Sequence, residues 1–406
     1  MQLSGALILP DPANPAAVTL GAGRITLRDG RVASVELEDP AAPNRLPADA
    51  PLISPAFTDA HVHLPQFPIV GAHGRPLLDW LSEVTFPAEM RWADTDRARA
   101  DLHGVIDRLL SVGTVGIGAY ATVHHAAADA ALTLCRQRGL RARVGHVLMD
   151  EGAPDALLQP ADDLLDQTAD LLDKHGASGR VAAAVTPRFA LSCSERLMQG
   201  AGRLAAEHDA VVQTHLSENV AECAEVERRY AKPYVQVYAD AGLLTPRALM
   251  GHVIHVNHAD RQALADAGTI AAHCPTANTF LGSGDMDRAA LRAAGVRVAP
   301  GSDIGGGYDV AMPRVARAMI ETAWRRDGVV IPSGEAWFDI TAAAAEALGW
   351  TDAGTLEPGA PADLVVLDPP EGWRTHPDPL GRLIWGWDDR WLRATLAQGE
   401  VVYGAL

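Results

Sequence analysis

The feature that most constrains the fold is a strand-then-helix rhythm running through most of the 406 residues. Short apolar runs recur at Ala56–His63, Thr114–Tyr120, Ala142–Met149, Val181–Phe189, Ala210–His215, Ala248–His255, Thr269–His273 and Val296–Asp303. Helix-period stretches separate most of them, as at Ala161–Lys174, Ala221–Arg229 and Leu243–Leu249, and two more follow at Pro313–Arg325 and Phe338–Leu348. Strands that alternate with helices predict a parallel sheet, and eight is the number that closes a barrel. An open doubly wound sheet is the alternative, but no GxGxxG follows the first strand.

The two ends read differently. Ala6–Leu9, Arg24–Leu27 and Arg31–Glu36 alternate around Gly and Asp turns, as hairpin strands do. Ala362–Leu367 and Glu400–Tyr403 are similar, the former introduced by the turn-like Glu357-Pro358-Gly359-Ala360-Pro361. The expected fold is α/β: a (β/α)8 TIM-type barrel over residues 55–354, with a small β-sandwich domain built from residues 1–54 and 355–406.

Composition narrows the function classes. Hydrophobic residues at 48% and charged residues at 21% fit a globular enzyme rather than a disordered or fibrous chain. Asp and Glu outnumber Lys and Arg, 51 to 34, and a net charge of −17 repels phosphate backbones. No nucleic-acid partner is expected, and an uncharged substrate is easier to accept than a polyphosphate. No run approaches the ~18 apolar residues of a membrane span, and Met1-Gln2-Leu3-Ser4-Gly5 lacks the charged start of a secretory signal. The expectation is a cytoplasmic protein without a membrane partner. Cys135, Cys193, Cys223 and Cys274 form no CxxC pair, so neither a disulfide framework nor a zinc knuckle is implied.

His61, His63, Arg188, His215, Glu218, His252 and Asp303 all lie near or just past the end of a strand. In a barrel that face carries the active site. In Asp59-Ala60-His61-Val62-His63, residues two apart face the same side of a strand, so both imidazoles can reach one metal. His215 and Asp303 are the natural further ligands. Three imidazoles and a carboxylate suit one zinc ion, with iron chemically possible, and leave a position for water. Taken singly, His215 could be a core histidine, and Asp303, before Gly305-Gly306-Gly307, a turn residue. Lys174 and Lys232 are the only lysines and neither ends a strand, so no carboxylated lysine is available to bridge two metals. The site is expected to be mononuclear.

The order and spacing of Asp59-x-His61-x-His63, His215, His252 and Asp303 resemble the amidohydrolase superfamily. Narrower segments are similar to its guanine deaminase branch: His63-Leu64-Pro65-Gln66, Leu78-Asp79-Trp80-Leu81, Thr85-Phe86-Pro87-Ala88-Glu89 and Thr186-Pro187-Arg188-Phe189-Ala190-Leu191-Ser192-Cys193-Ser194. Gln213-Thr214-His215-Leu216-Ser217-Glu218-Asn219, Ala272-His273-Cys274-Pro275 and Gly301-Ser302-Asp303-Ile304-Gly305-Gly306 extend the likeness, which runs from about residue 50 to the end and includes Asp388-Asp389-Arg390. One departure is Ser54-Pro55-Ala56, where the family has Pro-Gly.

The resemblance implies hydrolytic deamination of guanine to xanthine and ammonia, with zinc held by His61, His63, His215 and Asp303 and a bound water as nucleophile. Glu218 would take a proton from that water and deliver it to the ring nitrogen beside the attacked carbon. Three residues after His215, on a first helical turn, it would share the face of the metal site. Its plainer role is helix N-terminal charge stabilisation of ~0.3–1 kcal/mol. His252 would hydrogen-bond the developing oxyanion, and Asp303 would shuttle a proton to the departing ammonia. Gln66, Arg188, Phe189 and His252 would bind substrate, the guanidinium fork against the carbonyl and the phenyl ring stacked on the purine. An ordinary salt bridge is the alternative for Arg188. Trp80 and Phe86 line or lid the pocket, or belong to the core, and His273 is structural or chemical. Other substrates within this reading are 8-oxoguanine, cytosine, an adenosine derivative or a chlorotriazine; a metal-free barrel scaffold is the non-enzymatic one. The family also implies a homodimer.

Overall fold

The computed structural model describes residues 1–11, 13–14, 18–38 and 50–406; positions 12, 15–17 and 39–49 of the expected composite domain lie outside the described residues. The N-terminal strands are β1 (Gln2–Pro10), β2 (Val18–Arg28), β3 (Arg31–Leu37) and β4 (Leu52–Pro55). Then come β5 (Phe57–His63), β6 (Thr114–Tyr120), β7 (Arg141–Leu148) and β8 (Val181–Pro187). The second half of the barrel is β9 (Val212–Leu216), β10 (Ala248–His252), β11 (Ile270–His273) and β12 (Arg297–Pro300). β13 (Leu364–Leu367), β14 (Leu392–Ala397) and β15 (Glu400–Gly404) follow.

Strands β5 to β12 pair in sequence order and all in parallel. Strands β5 to β11 are buried along their whole length, which is why they read as continuous apolar runs rather than as alternating ones. The barrel seam closes just beyond β12. Asp303 N donates to His61 O at 2.8 Å and His63 N to Ile304 O at 3.3 Å. Below them Asp59 Oδ1 accepts from Ser302 N at 2.9 Å and from His61 N at 3.1 Å.

The outer helices follow from capping and periodicity. Over Thr95–Leu110, the Asp94 side chain accepts from Asp96 N and Arg97 N, satisfying two of the donors a helix start leaves open. Ala98, Leu102, Val105, Ile106 and Leu109 then bury one stripe against the barrel.

The terminal strands form a sheet in the order β15-β14-β13-β4-β1-β2-β3, antiparallel except for β1 beside β4. Its side chains divide with period two. Ile53 opposite Val366, and Leu7 beside Ile53, enter a small core with Ile25, Leu27 and Leu396. Leu52 opposite Leu367, and Ala6 beside Leu52, enter the large core shared with the barrel. Val32 N donates to Ala360 O at 2.8 Å and Ala362 N to Gly30 O at 2.9 Å, joining the β2–β3 hairpin to the chain before β13. The sandwich is thus one sheet folded over on its own core.

Two local expectations change. No helix covers Leu243–Leu249: a helix runs over Tyr234–Asp240, Gly242 in the left-handed region (φ 71°) stops it, Pro246 cannot donate to another, and Leu249 lies in β10. The strand expected over Ala248–His255 ends at His252, because His252 and Val253 take φ of 70° and 47°.

A buried ion cluster fastens barrel to sheet. Asp363 accepts from Arg141 Nε (2.8 Å), Arg180 Nη1 and Nη2 (2.9 and 2.8 Å) and Gln398 N (2.8 Å). Burial works to raise the Asp363 pKa, but the Arg180 and Arg141 guanidiniums hold it below the ordinary carboxylate value. Asp363→Asn leaves the buried Arg141 and the partly exposed Arg180 short of their counter-charge. It is expected to cost about 3–5 kcal/mol, read as a lower urea midpoint at unchanged slope.

Candidate active site

The ends of β5, β9 and the turn after β12 deliver four donor atoms to one point. His61 Nε2 and His63 Nε2 are 3.2 Å apart, and His63 Nε2 is 3.2 Å from His215 Nε2. Asp303 Oδ1 lies 3.3 Å from His61 Nε2 and 3.2 Å from His63 Nε2. All four side chains are buried. The alternation of β5 that puts His61 and His63 on one side of the strand, as the HxH spacing predicts, produces the first pair.

These donors fit a divalent metal. Metal–nitrogen bonds of about 2.0–2.1 Å in a tetrahedron set donors about 3.3 Å apart, close to the spacing found. Burial drives the His63 pKa down to about 4 and holds that of His215 well below the usual imidazole range, so both rings are neutral, the form able to bind a cation. Burial opposes the charge on Asp303, yet the adjoining His61 and His63 rings keep its carboxyl well below the usual range. His215 Nδ1 donates to Arg188 O at 2.7 Å, which fixes the tautomer and leaves Nε2 for the metal. Small residues make room: a Cβ on Gly301 would meet His61 Cβ at 2.6 Å, and one on Gly251 would meet His61 Cε1 at 2.9 Å.

Beside this cluster stand Glu218 and His252. Glu218 Oε2 is 3.3 Å from His252 Nε2, and Ser283 Oγ donates to Glu218 Oε1 at 2.9 Å. The route to this position differs from the helical one expected. β9 ends at Leu216, Ser217 turns through φ 52°, and the helix begins only at Val220, so Glu218 sits on the strand-to-helix turn. Burial, then the charge of Asp303, pushes the Glu218 pKa up to about 8, against Ser283 and Arg188. His252 Nδ1 pairs with Asn278 Oδ1 at 2.8 Å, which directs Nε2 at Glu218 and, at 3.7 Å, Asp303 Oδ2.

A small, partly open cavity lies over these groups, lined by His63, His215, Glu218, His252 and Asp303 together with Gln66, Trp80, Arg188 and Phe189. Every expected site residue thus borders it except His61, beneath the cluster, and Phe86. Phe86 lies with its ring 5.4 Å from the Arg188 guanidinium. Trp80 and Phe86 also belong to a buried apolar cluster with Leu77, Leu81 and Leu281; Trp80 is lining and core at once, whereas Phe86 is core alone. His273 stays outside: it is buried, its two ring nitrogens have no partner among the described residues, and burial lowers its pKa to about 3.

Sequence reasoning missed four contributors. Glu89 Oε2 accepts from Arg188 Nη1 at 2.6 Å while its Oε1 accepts from Gln66 Nε2 at 2.8 Å, so Arg188 makes a salt bridge and lines the cavity together. Tyr120 lays its ring 4.4 Å from that of His63 and 4.7 Å from that of His61. Asn278 orients His252. Glu222 Oε2 accepts from Glu218 N and Asn219 N and its Oε1 from the Tyr234 hydroxyl, fixing the turn that carries Glu218. Glu89 stood inside a quoted motif; the others carried no signal beyond a strand end or a capping position.

The amidohydrolase family profile matches residues 52–402. The chain is 34% identical to the guanine deaminase of Escherichia coli (strain K12) over 365 residues, 87% of this chain and 83% of that protein. Guanine deaminase of Dictyostelium discoideum is 35% identical over 272 residues, 66% of this chain and 60% of its own length. The solved E. coli guanine deaminase superposes with a TM-score of 0.92 at 30% identity, covering 99% of both chains. Guanine deaminase from C. acetobutylicum, solved with guanine bound in its active site, gives 0.90 at 28% identity, again over 99% of both.

Gly301→Ala is expected to press on His61 and weaken metal binding by about 10–100-fold, the range for changes that disturb ligand support. Metal content after dialysis against a competing chelator measures it; wild-type retention would remove the close approach from the account.

Proposed function

We propose that this chain, which belongs to the amidohydrolase family, catalyses the hydrolytic deamination of guanine to xanthine and ammonia. The observation that carries the reading is one cavity that brings an arginine–glutamine pair and a buried carboxylate beside a four-donor cluster able to hold a metal. The similarity to guanine deaminases over most of the chain supports the substrate.

In this reading His61, His63, His215 and Asp303 hold one zinc ion, iron being the chemical alternative. Such an ion lowers the pKa of a coordinated water towards about 7 and so makes hydroxide available at neutral pH. Arg188 and Gln66 hydrogen-bond the purine edge and Phe189 lies against the ring, presenting the amino-bearing carbon to the metal end. Glu218 takes a proton and passes it to the ring nitrogen beside that carbon; its raised pKa suits a group that must both accept and release. His252 donates to the oxygen that gains negative charge. Asp303 relays water's second proton to the amino group as the carbon–nitrogen bond breaks, so water's oxygen and one of its hydrogens stay on xanthine and the other hydrogen leaves with ammonia.

A homodimer and a cytoplasmic location complete the proposal. Exposed Tyr308, Trp324, Val330 and Trp385 line an apolar groove that supports self-association. Among the described residues no helix is long and apolar enough to cross a membrane.

Metal-analysed protein should convert guanine to xanthine with stoichiometric ammonia, lose the activity to a chelator and recover it with zinc. Metal-loaded protein inert towards guanine would shift the reading to another aminated heterocycle. Glu218→Gln should keep the metal and lower kcat by about 10²–10⁴; a metal-depleted variant would make Glu218 a support of the ligand cluster instead.

A further inference from the structure

We infer that Glu89 determines the charge of ligand that the substrate end of the pocket accepts, by neutralising Arg188 and fixing Gln66 so that an uncharged purine edge is preferred to an anionic one. The inference rests on the guanine reading above.

Glu89 lies on the short helix Phe86–Met90, away from the strand ends that carry the other polar groups. Its carboxylate is buried and both oxygens are engaged by residues of the cavity wall. Oε2 accepts from Arg188 Nη1 at 2.6 Å and Oε1 from Gln66 Nε2 at 2.8 Å. Gln66 and Arg188 come from different parts of the barrel rim, after β5 and after β8. One carboxylate therefore sets the relative placement of both.

An ionised carboxylate only accepts hydrogen bonds, so it also dictates which end of the Gln66 amide faces it. Nε2 must point at Glu89, and Oε1 is turned to Gly305 N, 3.4 Å away. Without Glu89 only the long contact from Gly305 N would hold the amide in this sense. Arg188 spends one of its five N–H groups on Glu89, and among the described residues no other carboxylate lies within 4 Å of its guanidinium.

Charge then decides selectivity. A buried guanidinium without a counter-ion is costly, and an anionic ligand would relieve it. With Glu89 in place that charge is already matched. The other end of the cavity carries Glu218 and Asp303, with Glu222 among the lining residues. An anionic ring would meet no net positive charge at either end among the protein groups, whereas a neutral carbonyl still gains the remaining hydrogen bonds of Arg188.

The test uses two oxopurines that lack an amino group and so cannot be deaminated: hypoxanthine, neutral at pH 7, and urate, an anion. Both are measured as competitive inhibitors of guanine deamination by the metal-loaded holoprotein. Glu89→Gln should raise KM for guanine by about tenfold or more, the scale of a lost hydrogen bond to a charged group, with a smaller fall in kcat. It should also move the ratio of the two inhibition constants at least about tenfold towards urate. Glu89→Asp keeps the charge but is too short to hold both partners. It should raise KM while leaving the inhibitor ratio as in the wild type, and it carries the test if the Gln variant does not fold. An unchanged ratio in Glu89→Gln, no inhibition of that variant by urate, or the same change of ratio in Glu89→Asp would overturn the role of Glu89. Wild-type protein that does not deaminate guanine would instead overturn the reading beneath it.

Discussion

Three imidazole nitrogens and a carboxylate oxygen, buried within 4.8 Å of one another, are held together only at a cost unless a cation shares them. The rest of the rim is arranged around that demand. The HxH pair needs β5 to end at one height, and Gly251 and Gly301 let neighbouring backbone approach His61. Arg188 links the two halves of the site. Its carbonyl accepts from His215 Nδ1, and its guanidinium turns to Glu89 and the cavity. A shift in the chain after β8 therefore moves the His215 ring and the Arg188 guanidinium together.

The pocket is polarised along its length. At one end lie carboxylates whose surroundings push them apart: Asp303 held low by two imidazoles, Glu218 raised by burial to about 8. That separation suits the proposed division between a metal-binding carboxylate and a proton carrier. At the other end, charge is matched within the protein before any ligand arrives. The proposed chemistry on a neutral ring is consistent with both: the metal end supplies the charge that reacts, and the substrate end supplies direction and shape.

Much of this was legible in the sequence because it is local. Eight buried runs separated by amphipathic helices specify a barrel, and period-two spacing at His61 and His63 specifies a shared face. The residues at strand ends could be named because the barrel collects them on one rim. What was not legible is what depends on packing between distant segments. The seven-stranded order, with β4 of the N-terminal stretch paired to β13 near the other end, has no local signature. Neither has Glu89, which reads as one more acid on a short helix until the fold brings it to Arg188. The left-handed turns at Ser217, His252 and Val253 were invisible because none is a glycine. They cost roughly 1–3 kcal/mol each, and the strand-end helix geometry assumed for Glu218 failed at the first of them.

The seam of the barrel has a consequence for the stability of the folded chain. Asp59 and Ser302, which meet there, are 243 residues apart in sequence, and His61, His63 and Asp303 sit directly above them. Joining such distant segments closes a very long loop, an entropic cost that the seam contacts must offset. An ion shared by donors on both sides of the seam would bind the closed barrel and not the open chain, so its occupancy would add to the stability of closure by mass action.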